Sequence, residues 1–450
     1  MKKKFIIVLG GGESGVGAAL LAKKNGFKIF LSDSGIILNK YKKILIENKI
    51  PFEEKGHTDN MIIQNAIKVI KSPGISRNNP LIKKINFLGI PIQSELEFGK
   101  NYLENSYIIG ITGSNGKTTT CSIIYQILKK KGINVGIAGN IGRSFSKEII
   151  KKKMFIYEMS SFQLDDCFNF RSNIAVLLNI TRDHLNRYDY NIENYIDSKF
   201  RIATFQKKED IFIYNYDDPI IREGLKKYYI ESQCIPFSIK EELHIGAYIK
   251  DKKIFIRNQK NKEIYLLNVK NIPLTGDHNL YNIMASSIIS EILNVKKESV
   301  ISILSKLKSI EHRMEKIRNI NGIQFINDSK ATNVNAVFYA LKSTNAPIIW
   351  IAGGEDKGNN YIELIPLVKQ KVKAIICLGK NNKKITNFFK NIIDIILETN
   401  NMKKAVYMAY ILSSHGYNVL FSPACSSFDL FKDYKERGNK FKQEVIKLSL

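Results

Sequence analysis

Two strand–glycine-turn–helix units in one chain constrain the fold more than any other feature of this sequence. The first runs Phe5-Ile6-Ile7-Val8-Leu9 into Gly10-Gly11-Gly12-Glu13-Ser14-Gly15. This is the GxGxxG spacing, predicted to sit between a strand and a helix over 16–25. Asp33 ends the next strand, over 28–31, at a distance suited to a ribose-binding acid. Glycines permit the tight turn, and a helix N-terminus attracts phosphate. The pattern says nucleotide without saying which, and plain turn packing also produces it. The second unit is Gly110-Ile111-Thr112-Gly113-Ser114-Asn115-Gly116-Lys117-Thr118-Thr119-Thr120. It follows a strand over 107–111 and opens a helix over 117–130. Ile111 stands where the eight-residue phosphate loop wants glycine, so the loop is a shortened form. Lys117 would neutralise β/γ-phosphate charge and the Thr118 hydroxyl would reach Mg²⁺. Two such turns suggest two nucleotides, where a kinase or simple ATPase needs one.

Further strands are predicted over 68–70, 155–157, 175–179, 324–326, 348–352, 374–378 and 418–421, between helical stretches. Strands alternating with helices make an α/β chain with parallel sheets. Three blocks emerge: a Rossmann-like N-terminal domain (1–95), a central P-loop ATPase-like domain with a parallel sheet (96–300), and a Rossmann-like C-terminal domain (301–450). Ligands of open parallel sheets gather beyond the strands' C-terminal ends. Glu158 directly follows one strand there, and Asp183-His184 follow another. Lys199 lies on the next helix. Oxygen ligands with one imidazole suit Mg²⁺ near a triphosphate, which makes Glu158 and His184 candidate ligands.

The 450 residues carry a formal net charge of +27, which raises nucleic-acid binding. The lysines are spread along the chain, and no basic stripe is interleaved with aromatics. Runs such as Lys129-Lys130-Lys131 and Lys151-Lys152-Lys153 read as helix ends. No nucleic-acid partner is expected. The five cysteines form no CxxC pair and are odd in number, so a reducing compartment is the simpler reading. Lys2-Lys3-Lys4 before 5–9 imitates a signal peptide, but the apolar run is too short and Glu13 follows. No stretch reaches the roughly 18 apolar residues of a membrane span. A cytoplasmic monomer is expected, without membrane attachment.

These motifs resemble the Mur ligases. The resemblance runs collinearly through Thr112-Gly113-Ser114-Asn115-Gly116-Lys117-Thr118-Thr119, Gly139-Asn140-Ile141-Gly142, Glu158-Met159-Ser160-Ser161-Phe162-Gln163-Leu164, Asn179-Ile180-Thr181-Arg182-Asp183-His184-Leu185 and Gly276-Asp277-His278-Asn279. Asn327-Asp328-Ser329-Lys330-Ala331-Thr332-Asn333 and the tail Ser422-Pro423-Ala424-Cys425-Ser426-Ser427-Phe428-Asp429 through Lys435-Glu436-Arg437-Gly438 are similar to the D-glutamate-adding branch.

The resemblance implies an ATP-dependent amide ligase that joins D-glutamate to UDP-N-acetylmuramoyl-L-alanine through an acyl phosphate. ATP would lie on Gly113, Ser114, Asn115, Gly116, Lys117, Thr118 and Thr119, with Asn279, Arg313 and Asp328. Thr118 and Glu158 would bind one Mg²⁺, and His184 with a carbamoylated Lys199 a second. Lys117, Glu158, His184 and Lys199 form the implied catalytic set. The UDP substrate would meet Glu13, Ser14, Asp33, Ser72, Gly74 and Asn140. D-glutamate would meet Lys330, Thr332, Lys357, Ser427 and Phe428. Three places depart from the family's usual pattern: Glu13, where an apolar residue is commoner; Tyr434, where Phe is commoner; and the turn Gly353-Gly354-Glu355-Asp356-Lys357-Gly358. The rival readings are an NAD-dependent dehydrogenase, a nucleic-acid motor, a folate polyglutamylating ligase and a non-catalytic binding protein.

Overall fold

Uninterrupted apolar strands need cover on both faces, and helices between parallel strands supply it. The computed structural model describes residues 5–58, 66–103, 106–141, 143–148, 154–258, 262–274, 276–307 and 311–448. Gly142 and Lys151-Lys152-Lys153 lie outside them. Three sheets follow one another along the chain. The first contains β1 (Phe5–Leu9), β2 (Ile29–Ser32), β3 (Phe52–Glu53), β4 (Ala66–Lys71) and β5 (Ile92–Ser94), in the parallel order β3-β2-β1-β4-β5.

The second contains β6 (Tyr107–Thr112), β7 (Val135–Gly139), β8 (Met154–Glu158), β9 (Ile174–Leu177), β10 (Ile211–Asn215), β11 (Gln233–Ser238), β12 (Gly246–Lys250), β13 (Lys253–Arg257) and β14 (Glu263–Asn268). Its order is β14-β13-β12-β11-β10-β9-β6-β8-β7. The strands from β7 to β12 are parallel, whereas β13 and β14 run antiparallel at the edge. The expected parallel sheet is present, extended at one edge by an antiparallel hairpin. Its turn is two residues long: Asp251 and Lys252 both have positive φ (50° and 58°), the backbone that reverses a twisted strand tightly.

The third sheet contains β15 (Glu315–Ile320), β16 (Ile323–Asn327), β17 (Ile348–Gly353), β18 (Val372–Leu378), β19 (Ile395–Thr399) and β20 (Asn418–Ala424), in the order β15-β16-β20-β17-β18-β19. It is parallel apart from β15, which Asn321-Gly322 turns back against β16. A core that includes Trp350, Leu364, Phe389 and Leu420 packs as one cluster; a second gathers Ile349, Ile351, Phe421 and Phe441. Alternate residues of one strand therefore feed separate cores, as two covered faces require.

By contact the chain forms two compact units. One is Met1–Ile180, Glu193–Asn271 and Tyr281–Ser305; the other is Thr181–Ile192, Ile272–Leu280 and Lys306–Leu450. Among the described residues no helix is long and apolar enough to cross a membrane. Trp350 is fully buried and its indole N–H donates to the Ser422 carbonyl at 2.8 Å. Trp350→Ala should lower unfolding free energy by about 3–5 kcal/mol, read by urea denaturation.

Candidate functional site

In the first unit the phosphate loop hangs on strand ends. β6 pairs with β8 and β9 so that Ile111 faces Glu158 and Thr112 faces Leu177. Glu158 is the last residue of β8, not the first beyond it. Asn179 straps the loop: its Oδ1 accepts from the Asn115 amide at 2.8 Å, and its Nδ2 donates to the Asn115 carbonyl at 3.1 Å. Gly116, at φ +87°, starts the helix Lys117–Lys130, and a Cβ there would lie 2.3 Å from Asn282 Oδ1. Only glycine fits. Lys117 Nζ donates to the carbonyls of Gly113 and Ser114 at 2.6 and 2.8 Å, and the half-buried Thr118 follows it in the first helical turn. Thr119 is buried.

Glu158 is almost fully buried. Its Oε1 accepts from Asn140 Nδ2 at 3.0 Å, and its Oε2 has no hydrogen-bond partner among the described residues. Two expected site residues thus meet side by side. Lys199, also buried, donates to Thr112 Oγ1 at 3.1 Å and to the Gly113 carbonyl at 3.0 Å. Its helix, Ile192–Phe200, also presents the Tyr195 hydroxyl 3.0 Å from Ser114 Oγ.

The first glycine turn lies in the same unit. Asp33 Oδ2 accepts from the Gly11 amide at 2.5 Å and Oδ1 from the Gly35 amide at 2.7 Å. A pocket beside it is lined by Leu9, Gly10, Asp33, Ser34, His57 and Asn79 among others. Ser72 abuts Gly10, and Gly74 is exposed. Glu13 opens the helix Glu13–Lys24, with Ser14 beside it. Its carboxylate accepts from the Ser144 amide at 3.2 Å and Lys147 Nζ at 3.0 Å. Burial alone would raise this carboxyl, but those two donors hold it below the usual range. The unusual Glu13 is thereby occupied by an ion pair.

The second unit brings together the other expected residues. Asp183 and His184 belong here by contact, with the C-terminal sheet. Asp183 Oδ1 accepts from the His184 amide at 2.9 Å and lies 3.4 Å from Lys357 Nζ; Oδ2 accepts from Asn333 Nδ2 at 3.1 Å. His184 itself has φ +54°. Asn333 Oδ1 caps the helix Val334–Ser343. Thr332 is half-buried beside it, and Lys330 Nζ sits 5.4 Å over the Tyr434 ring. Tyr434 therefore supplies a ring face, which a Phe would also supply.

Arg437 holds this cluster. It is buried, and its guanidinium donates to the Ser329 carbonyl (2.8 Å), Ser329 Oγ (3.1 Å), and the carbonyls of Cys425 (3.0 Å) and Ser426 (3.2 Å). Glu355 and Ser426 exchange backbone bonds, so the Lys357 turn lies against the Ser427 turn. Ser427 is buried and Phe428 exposed. Arg437 was legible only as part of a motif; its clamping role needed the fold.

Asp328 accepts from Ser422 Oγ at 2.8 Å and the Met314 amide at 3.2 Å. Burial pushes its carboxyl up to about 6, against the opposing pull of Arg313. His278 is pushed down to about 4 by burial, then by Arg313, so it is neutral at physiological pH. Asn279 is buried next to it in sequence.

The MurD N-terminal domain profile matches residues 5–80, the Mur ligase middle domain 111–290, and the Mur ligase glutamate ligase domain 312–425. The chain belongs to the Mur ligase family. It is an ATP-dependent ligase of peptidoglycan precursor synthesis, which removes the dehydrogenase, motor and binding-protein readings. Relatives named UDP-N-acetylmuramoylalanine--D-glutamate ligase include one from Christiangramia forsetii, 49% identical, covering 99% of this chain and 100% of the relative. Another, from Bacteroides thetaiotaomicron, is 46% identical with the same coverage. The fold is shared with a pseudomurein peptide ligase type C from Methanothermus fervidus (TM-score 0.63, 18% identity, 99% and 100% of the two chains). It is also shared with UDP-N-acetylmuramate-alanine ligase MurC from Thermotoga maritima (TM-score 0.61, 18% identity, 99% and 100%).

Two outcomes follow from the second unit. Arg437→Met leaves four buried oxygens short of a donor and should cost about 3 kcal/mol in urea unfolding. Asp328 binds its proton more tightly folded than unfolded. Its stabilising contribution is complete below about pH 4 and is lost as pH rises through about 6. Asp328→Asn should therefore gain stability relative to the unsubstituted chain across that window, read by thermal unfolding at stepped pH.

Proposed function

We propose that this chain joins D-glutamate to UDP-N-acetylmuramoyl-L-alanine, with ATP converted to ADP and phosphate. The observation that carries the reading is the strapped phosphate loop beside the buried Glu158–Asn140 pair. The full-length relatives that carry this ligase name support it. ATP would rest on Gly113, Ser114, Asn115, Gly116, Lys117, Thr118 and Thr119 of the first unit. The reading also assigns Asn279, Arg313 and Asp328 to ATP. Glu13, Ser14, Asp33, Ser72, Gly74 and Asn140 would serve the UDP substrate, with Glu13 contributing through its ion pair. Lys330 and Lys357 would offset the charge of the amino acid's two carboxylates, with Thr332, Ser427 and Phe428 beside them.

The residues present fit a magnesium ion. Glu158 Oε2, buried without a hydrogen-bond partner among the described residues, is a hard oxygen donor of the kind that ion takes. Thr118 and Glu158 would hold one ion. His184, with Lys199 as a carbamate, belongs to the reading of a second. Bound magnesium supplies charge neutralisation on the triphosphate. The alanine carboxylate attacks the γ-phosphorus, and the bond to ADP breaks. The resulting acyl phosphate is attacked by the D-glutamate amine, which loses a proton as phosphate departs. Lys117 places positive charge where two anions must approach, and the loop amides hold geometry.

The reading divides the chain at 1–95, 96–300 and 301–450 into UDP-substrate, ATP and amino-acid domains. It takes the protein as a cytoplasmic monomer acting on small anions, without nucleic-acid or membrane partners. Phosphate release from ATP, Mg²⁺ and UDP-N-acetylmuramoyl-L-alanine should rise with D-glutamate well above L-glutamate or meso-diaminopimelate. Equal release with all three amino acids would sink the assignment. Lys117→Ala should lower turnover at least about 100-fold, as loss of one preorganised charge does in such sites.

A further inference from the structure

We propose that Lys71 and Asp166 are positioning residues for the nucleotide-sugar substrate, fixing the first glycine turn through one buried ion pair. The inference rests on the reading above that the Ser72–Gly74 turn meets the UDP substrate.

Lys71 ends β4 and immediately precedes Ser72-Pro73-Gly74. Its ammonium lies 2.5 Å from Asp166 Oδ2, and both side chains are almost wholly buried. The same ammonium donates to the Ile75 carbonyl at 2.8 Å. Lys71 thus brackets the turn from both ends. The turn touches the glycine motif: the Ser72 amide donates to the Leu9 carbonyl at 3.0 Å. A Cβ at Gly10 would lie 2.5 Å from Ser72 Oγ, and one at Gly15 would lie 1.8 Å from the Gly10 carbonyl. With so little clearance, a shift of Ser72 must move Gly10.

Asp166 is itself fixed. It follows the helix Ser161–Asp165, which Ser160 caps two residues beyond Glu158. Arg77 Nε donates to Asp166 Oδ1 at 3.1 Å and packs 5.2 Å over Phe168. Arg201 donates to the Leu164 and Cys167 carbonyls at 3.0 and 2.6 Å. Glu97 Oε1 accepts from the amides of Phe168 and Asn169, each at 2.8 Å. The 164–169 turn is a fixed post. The ion pair ties the substrate turn to the segment that carries Glu158.

A buried pair is weak evidence for net stability, because an apolar replacement of both partners is often neutral, whereas removing one strands the other. That separates positioning from folding. Lys71→Met, Asp166→Asn and the double variant Lys71→Met with Asp166→Leu are compared as full chains. Each is titrated calorimetrically with UDP-N-acetylmuramoyl-L-alanine and, separately, with a non-hydrolysable ATP analogue, and its thermal midpoint is taken. The single variants should bind the UDP substrate about ten-fold more weakly and the ATP analogue within about two-fold. The double variant should regain the original midpoint yet keep the weak UDP binding, because the bond from residue 71 to the Ile75 carbonyl is lost in it. Full recovery of both by the double variant overturns the proposal, as does unchanged UDP binding in the singles. An unsubstituted chain that does not bind the UDP substrate overturns the proposed function and this inference with it.

Discussion

A single buried guanidinium organises the loops at the strand ends of the C-terminal sheet. Arg437 sits on the helix Tyr434–Ile446 and is almost inaccessible to solvent. Its donors are spread over the loop that leaves β16 and the loop that leaves β20. Burial lowers its proton affinity only to about 10, so it stays charged, and each carbonyl it holds is a bond water would otherwise have to make. Gly354 shows how closely the neighbours follow: a Cβ there would come 3.1 Å from Arg437 Nη1 and 2.2 Å from the Ser426 carbonyl. Lysine could not span these acceptors, because it lacks the planar fork. Arg437 thus holds the loops that carry Lys330 and Ser427 directly, and Ser426 passes that hold to the Lys357 turn through Glu355.

The central loop follows a different logic. It is held by a side-chain amide, Asn179, and by buried Lys199 and Tyr195 approaching from a helix. Its geometry is therefore set by the fold itself, which is what electrostatic preorganisation requires. Glu158 and Asn140 extend the arrangement along the strand ends.

How much of this was legible in the sequence depends on the range of the interaction. The two glycine turns are local, and the helix over Lys117–Lys130 matches its sequence reading. Strand positions were legible wherever apolar runs were long, because parallel strands covered on both faces show no alternation to confuse them. The antiparallel edges were not read, although Asn321-Gly322 is a strong hairpin signal in its own right. Chain order placed Asp183 and His184 with the phosphate loop, whereas contact groups Thr181–Ile192 with the C-terminal sheet. Nothing local in the sequence could report that. The same is true of Lys71 with Asp166 and of Glu13 with Lys147, pairs joined only by tertiary packing. Glu13, where the family more often has an apolar residue, is one half of an ion pair.

The sheet edges have a consequence of their own. An open sheet offers unpaired backbone groups at each side, a template on which another chain can add a strand. In the first sheet those sides are β3 and β5, only two and three residues long. In the third, β15 reads Glu-Lys-Ile-Arg-Asn-Ile, with charged side chains at three of its six positions. An incoming strand would find little ladder to pair with on the one and charges to desolvate on the other. Those three strands are thus poor templates for strand addition.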